Sequence, residues 1–255
     1  MNIFELLVTD PILNLLILLY NVLFSNFGLA IIALTFVLKI ITIPLSTPSI
    51  KMAKKQKEIA PELKELKDKY GKDKKLMAQK QMELYQKHGI NPASGCLPQI
   101  LQIVIIFSLY NVFIKVLSPE MGGINYINEN VYFNFLKFTQ GTTLNTSFLY
   151  LDLSLPDKTL ILPILAAVAQ FISSKMLMPQ TQAMLDSSKE TEGKSDDFMY
   201  NMQKQMVFMA PIMTILVGIR FASGLVLYWF VSTLLASATQ FILTKRMESD
   251  KKLDH

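Results

Sequence analysis

Apolar positions in this chain come in long runs, not in alternation. From Ile12 to Leu45 the sequence is almost unbroken in apolar residues. That is too long for one membrane crossing and too short for two with a loop, since a crossing helix takes about 20 residues. A bend is required, and Ser25-Asn26-Phe27-Gly28 supplies it. Asp10-Pro11 reads as a helix start, with proline in the first turn. Asn14 and Asn21 stand seven apart and so share a face. Residues 1–26 are thus expected as an N-terminal interfacial helix. A leader-peptide core or an additional crossing competes with that reading. No basic residue precedes Lys39, so the positive flank of a leader is missing.

The remaining runs set the architecture. Residues 27–47 form a first crossing and 96–118 a second, begun by the turn at Asn91-Pro92 and Gly95-Cys96-Leu97-Pro98. Residues 158–178 form a third. Residues 206–245 hold a fourth and a fifth around a tight turn, Ile219 to Gly224. The fold class expected is an all-α polytopic membrane protein: a five-transmembrane-helix core, a cytoplasmic helical hairpin and an N-terminal interfacial helix.

Charge orients it. Residues 48–95 carry twelve lysines against six acids, a surplus of six where the whole chain has +5. Such a loop belongs in the cytoplasm. Two helical segments are legible in it, near 50–69 and 75–88, broken at Tyr70-Gly71-Lys72-Asp73, with a seam of Ile59, Leu63, Leu66, Leu76, Met77 and Leu84. It is either a solvated topological loop or a basic arm. As an arm, Lys51, Lys54, Lys55, Tyr70, Lys74 and Lys75 would meet lipid headgroups, a ribosome or an arriving polypeptide. Lysines interleaved with acids argue against nucleic-acid recognition. Residues 119–157 hold four acids and one lysine and belong outside, with a short amphipathic helix over Val131 to Phe138 as the weakest element. Residues 179–205 form a second cytoplasmic loop, and 246–255 a short cytoplasmic tail. The expected topology is N-terminus out and C-terminus in.

Polar groups recur at depth: Thr35, Lys39, Gln102, Gln170, Ser232 and Gln240. Amides in a crossing helix glue helices together or line a cavity. Lys39 sits in mid-run, where a charge costs about 2.5–3.5 kcal/mol on insertion scales. It either faces a wet interior or snorkels to the interface roughly 12 Å away; the run alone leaves both open. Met199, Met202, Met206, Met209 and Met213 mark one helix face, suited to packing or to a soft apolar surface. One cysteine excludes an internal disulfide and a cysteine metal site. No phosphate loop, metal motif or nucleophile–base set is legible, so no cofactor and no enzyme activity are expected. Nor is there the internal repeat of many secondary transporters.

Several motifs together resemble the YidC-type membrane protein insertase family, known from bacteria with mitochondrial and chloroplast relatives. They are Thr35-Phe36-Val37-Leu38-Lys39 with Pro44-Leu45, Asn91-Pro92 with Gly95-Cys96-Leu97-Pro98 and Gln102, and Leu151-Asp152-Leu153-Ser154 with Pro156-Asp157. Ile161-Leu162-Pro163-Ile164-Leu165 with Gln170-Phe171, Met209-Ala210-Pro211-Ile212-Met213, and Ser223 to Trp229 complete them. They cover about residues 25–245. The resemblance implies a hydrophilic groove, open to cytoplasm and lipid, inside a five-helix core of the bacterial plasma membrane. The family's central positive charge maps onto Lys39, and its groove residues onto Thr35, Gln102, Gln170, Tyr228 and Trp229.

By the same resemblance, the partners are nascent or newly made membrane proteins and membrane lipids, with the Sec translocon and the ribosome beside them. Two positions depart from the family pattern. Lysine at 39 replaces the usual arginine, keeping the charge but losing the planar fork. Ala222 and Arg220 stand near a usual proline. A rival reading is a small transporter or channel with Lys39 in an anion pathway. An intramembrane protease is a third, weakened because Asp152 and Asp157 lie outside the membrane runs.

Overall fold

The computed structural model describes residues 3–71, 73–91, 97–177 and 198–253. Cys96 and the stretch 178–197 of the second loop lie outside these, as do the side chains of Lys51, Lys54, Lys74, Met199, Met202 and Met206. The described residues are mostly helical and divide into two units. Among the described residues, four helical stretches are long and apolar enough to cross a membrane: Glu5–Val22, Phe27–Ser49, Pro98–Leu117 and Ser223–Arg246. Ile161–Met176 and Phe208–Gly218 are shorter apolar helices.

The first unit comprises residues 1–41, 100–170 and 211–235. Helix α1 (Asp10–Val22) continues a π-helical turn at Glu5–Thr9. Its buried residues Leu13, Leu16, Ile17 and Tyr20 recur at three and four, the period of one helix face. Helix α2 (Phe27–Glu58) repeats the pattern with Phe27, Ile31 and Leu34. Helix α5 (Leu97–Leu117) does so with Leu109, Val112, Phe113 and Val116. These stripes meet in one apolar core with Ala166 of α7 (Ile161–Leu177) and Leu225 to Tyr228 of α9 (Ser223–Leu253). Close approach explains two glycines. A Cβ at Gly28 would collide with the Phe148 ring. One at Gly224 would press on Leu153 O, Ile31 and Phe113 at 3.1–3.2 Å.

The segment 118–160 is folded by side chains that bond to backbone. It holds α6 (Ile124–Asn130), 3₁₀ turns at Pro119–Met121 and Asn134–Leu136, and a two-residue hairpin, β1 (Ser147–Phe148) against β2 (Leu151–Asp152). The helix thus stands earlier than Val131–Phe138. Gly122 and Gly123, at φ 117° and 52°, start it. The Asn128 amide then accepts from Phe138 N and donates to Phe138 O, both at 2.8 Å, drawing the following chain back onto the helix. Ser223, the first residue of α9, donates its N–H to Leu155 O (2.8 Å) and its hydroxyl to Asp152 O and Leu155 O (both 2.7 Å).

Helix α1 and the π-helical turn before it are tied to the same region at three points. Glu5 pairs with Lys115 in the last turn of α5 at 2.9 Å. Asn14 donates to Asn130 O (3.0 Å) and accepts from Tyr132 N (2.7 Å). The Tyr20 hydroxyl accepts from Asn145 N at 2.9 Å. Residues 5 and 20 lie roughly 22 Å apart along a helix. Both nonetheless touch the 118–160 segment or the helix end that feeds it.

The second unit comprises residues 42–99, 171–210 and 236–255. Helix α2 runs on past Pro44 and Pro48. The hydroxyls of Ser46, Thr47 and Ser49 turn back onto the carbonyls of Thr42, Ile43 and Ser46, so none of the three needs an outside partner. The helix stops at Glu58, because Pro61 cannot donate into a continuing helix and instead opens α3 (Ala60–Tyr70). Asp73 caps α4 (Lys74–Lys87) through the amides of Lys75 and Leu76. Glu62 near the start of α3 bonds His88 just past α4 at 3.0 Å, so the two helices run antiparallel. That bond holds the Glu62 carboxyl below its usual range. The hairpin has its own small core: Met52, Ile59, Leu63, Leu84, Tyr85 and Ile90, with Leu66 beside it. Tyr85 and Ile90 belong to this core, whereas Leu76 and Met77, expected in the seam, are half-buried outside it. Helix α8 (Phe198–Gly218) precedes α9, which continues beyond Lys245-Arg246 to Leu253.

Two outcomes follow from the tied segment. Asn14→Ala strands Asn130 O and Tyr132 N, and should cost about 1–3 kcal/mol, read as a lower melting temperature in detergent. Asp157 accepts from Thr159 N (2.8 Å), Thr159 Oγ1 (2.6 Å), Leu162 N (2.9 Å) and the Tyr150 hydroxyl (3.3 Å). Burial pushes its pKa up, but these bonds outweigh burial and hold it below the ordinary 3.8. A carboxyl depressed by folding stabilises fully above its unfolded pKa, and the gain is lost as pH falls through the folded value. Melting temperature should therefore drop below about pH 4. Asp157→Asn should flatten that drop while lowering stability at neutral pH.

Candidate functional site

The polar positions singled out from the sequence fall on α2, α5, α7 and α9. Thr35 is buried, and its hydroxyl donates to Ile31 O one turn back at 2.6 Å. Lys39 follows one turn later, on the same face. It is only partly exposed, whereas Ile40 and Ile41 beside it are 66% and 59% exposed. The charged residue is thus turned toward protein and the isoleucines away from it, the reverse of what hydrophobicity alone would set.

The second part of the site is a hydrogen-bonded trio. Gln102 on α5 donates its amide to the Tyr228 hydroxyl on α9 at 3.2 Å. Ser232, one turn after Tyr228, donates to the Gln102 carbonyl oxygen at 3.4 Å. Tyr228 is 1% exposed, so its hydroxyl has no solvent to fall back on. Trp229 follows it, half-buried, and Gln170 is half-buried on α7. No hydrogen bond joins Gln170 or Trp229 to the trio among the described residues. Of the hairpin lysines, Lys55 reaches His88 O at 3.5 Å and Lys75 is exposed. Tyr70 is half-buried under the Lys69 ammonium, 5.6 Å from its ring centre.

Three further hydroxyls, Ser108 on α5, Thr214 on α8 and Thr233 on α9, are buried but were not singled out from the sequence. Single hydroxyls in apolar runs carry little signal. Ser232, by contrast, was marked in the sequence as a polar group at depth. Ser108 Oγ finds no partner among the described residues. Chemically, the trio is a neutral set of donors and acceptors, with Lys39 as the charge in the apolar stretch of α2. No cluster of three histidine, cysteine or acidic residues able to hold a metal occurs among the described residues.

Long apolar helices with polar and charged groups turned inward define a multi-pass membrane protein. The comparisons specify which kind. The family described as 60Kd inner membrane protein matches residues 18–251, and the chain belongs to that family of inner-membrane proteins. It is 33% identical over 222 residues to a protein of Fusobacterium nucleatum named membrane protein insertase YidC, covering 87% of this chain and 88% of that one. It is 34% identical over 228 residues to the protein of that name in Wolinella succinogenes, and 31% over 225 residues to that of Maridesulfovibrio salexigens. Of those two it spans only 35% and 36% of the length.

The trio carries a direct test. Tyr228→Phe and Gln102→Leu should each lower the melting temperature, and the double variant should lose less than their sum. Double-mutant-cycle analysis should give a coupling of about 0.6 kcal/mol, up to about 1.7. A coupling of zero would mean that the two side chains do not act together.

Proposed function

We propose that this chain is a membrane protein insertase, moving small membrane proteins from the cytoplasm into the bilayer through a hydrophilic groove with Lys39 at its centre. The observation that carries the reading is the inward turn of Lys39 beside outward isoleucines, in a chain of this family. Thr35, Gln102, Gln170, Tyr228 and Trp229 line the groove with Lys39. The N-terminus lies outside and the C-terminus in the cytoplasm. Helix α1 lies along the outer interface, a placement supported by its ties to the 118–160 segment at residues 5, 14 and 20.

The physics is that of lowering a barrier. A client with an apolar span and a short polar, often acidic, outer tail must bring that tail into hydrocarbon. Polar groups at depth replace part of its lost hydration. The Lys39 ammonium attracts a carboxylate more strongly there than it would in water, because the effective dielectric is lower. The lysine-rich arm formed by the end of α2 and the α3–α4 hairpin, with Lys51, Lys54, Lys55, Tyr70, Lys74 and Lys75, meets the client first, at the lipid headgroups, beside the Sec translocon or the ribosome. The client's apolar segment then leaves sideways into lipid, driven by burial of its apolar surface. The process needs no covalent step and no nucleotide.

Insertion of a single-span, acidic-tailed protein into liposomes holding the purified chain tests this. Wild type and Lys39→Arg should insert the client, and Lys39→Leu should insert at most about a tenth as much, the effect of losing about 1.4 kcal/mol. Equal insertion by Lys39→Leu would remove the charge from the mechanism. Ion flux through the wild-type liposomes, with no insertion, would favour a channel.

A further inference from the structure

Four residues other than glycine hold a left-handed backbone among the described residues: Phe24 (φ 55°), Ser25 (φ 50°), Leu149 (φ 54°) and Leu160 (φ 63°). That conformation is disfavoured for any residue with a Cβ and is left mostly to glycine, asparagine and aspartate. Here three of the four are large and apolar. They are also exposed: Phe24 by 89%, Leu149 by 87% and Leu160 by 43%. Core packing does not explain them, and turn chemistry would choose other residues.

Their positions share a feature. Phe24 stands in the turn between α1 and α2, fixed by Ser25 N bonding Tyr20 O and Asn26 N bonding Leu23 O. Leu160 immediately precedes α7. Leu149 is at the tip of the β1–β2 hairpin, and its neighbour Tyr150 bonds Asp157, whose carboxylate caps the first turn of α7. Phe24 and Leu160 thus stand within three residues of the start of an apolar helix, and Leu149 is linked to the start of α7 through Tyr150 and Asp157. Val22, Tyr150 and Ile161 beside them are exposed and uncharged. Lys158, also exposed, has the sign that suits phosphate headgroups. Persistent strain is expected where a side chain is needed for something other than the fold.

We propose that Phe24, Leu149 and Leu160 are lipid anchors. They dip into the headgroup–acyl boundary of the leaflet at the Phe27 end of α2 and fix the depth of the 118–160 segment. Burial of these side chains in the acyl region offsets the backbone cost. The occupant of this surface is bilayer lipid, because α2 and α7 enter the membrane within three residues of Phe24 and Leu160.

The full chain carries one cysteine, so Cys96→Ser gives a clean background. Phe24→Cys, Leu149→Cys and Leu160→Cys would be spin-labelled singly in vesicles of phosphatidylethanolamine and phosphatidylglycerol, with Thr143→Cys as a water-exposed reference. Cysteine keeps a Cβ, so the backbone strain is unchanged. Collision with oxygen, which concentrates in lipid, is compared with collision with a water-soluble nickel chelate. The oxygen-to-chelate ratio should be severalfold higher than at Thr143 for at least two of the three labels. Ratios equal to that of Thr143 at two or more positions would place these side chains in water and overturn the proposal. Loss of collisions with both reagents would place them against a second copy of the chain, and overturns it equally. Size-exclusion elution of each variant identifies a turn that the label has unfolded, leaving the other positions to decide.

Discussion

A helix in hydrocarbon has nowhere to send a polar group except to another part of the protein, and most of this structure follows from that constraint. Thr35 and the hydroxyls around Pro44 and Pro48 fold back on their own helix carbonyls. Gln102 cannot do so. Its amide needs a partner across the helix gap, and Tyr228 and Ser232 provide one at each end. Because a pair of this kind binds only when both helices are correctly rotated, it selects one rotation of α5 and of α9. Tyr228 and Lys39 turn inward for the same reason that Ile40 turns outward.

The two units solve different problems. In the 118–160 segment apolar burial is limited, and side chains tie the backbone together: Asn14, Asn128, Asp157 and Ser223 each bond main-chain groups. Asparagine, aspartate and serine suit this because their short side chains reach backbone groups with little entropy lost. The lysine-rich hairpin relies instead on a small apolar seam and a few polar contacts around Glu62 and His88. A seam of six buried residues is modest, which suits an element whose charges, not its rigidity, meet the surroundings.

The long apolar runs and the mid-run lysine were legible because hydrocarbon imposes length and hydropathy on any crossing helix. Gln102 stood out for the same reason, a polar group where none is cheap, whereas Tyr228 was marked only by the family resemblance. Other features were hidden. Proline reads as a stop, yet α2 passes Pro44 and Pro48 and ends only before Pro61. The place of α6 depends on Gly122, Gly123 and a clamp from Asn128 to Phe138, ten residues on. A two-residue hairpin gives no alternation to detect. Leucine in a left-handed turn carries no turn signature at all, so Leu149 and Leu160 were invisible until the backbone was seen.

The ties of α1 also set a clock. Asn14 meets Asn130 and Tyr132, 116 and 118 residues later, and Tyr20 meets Asn145, 125 residues later. A ribosome making about 5–20 residues per second leaves α1 without these partners for roughly 6 to 25 seconds. During that interval α1 is an apolar segment that lacks the polar partners which later tie it down. The protein is, for that time, in the same condition as the clients it is proposed to serve.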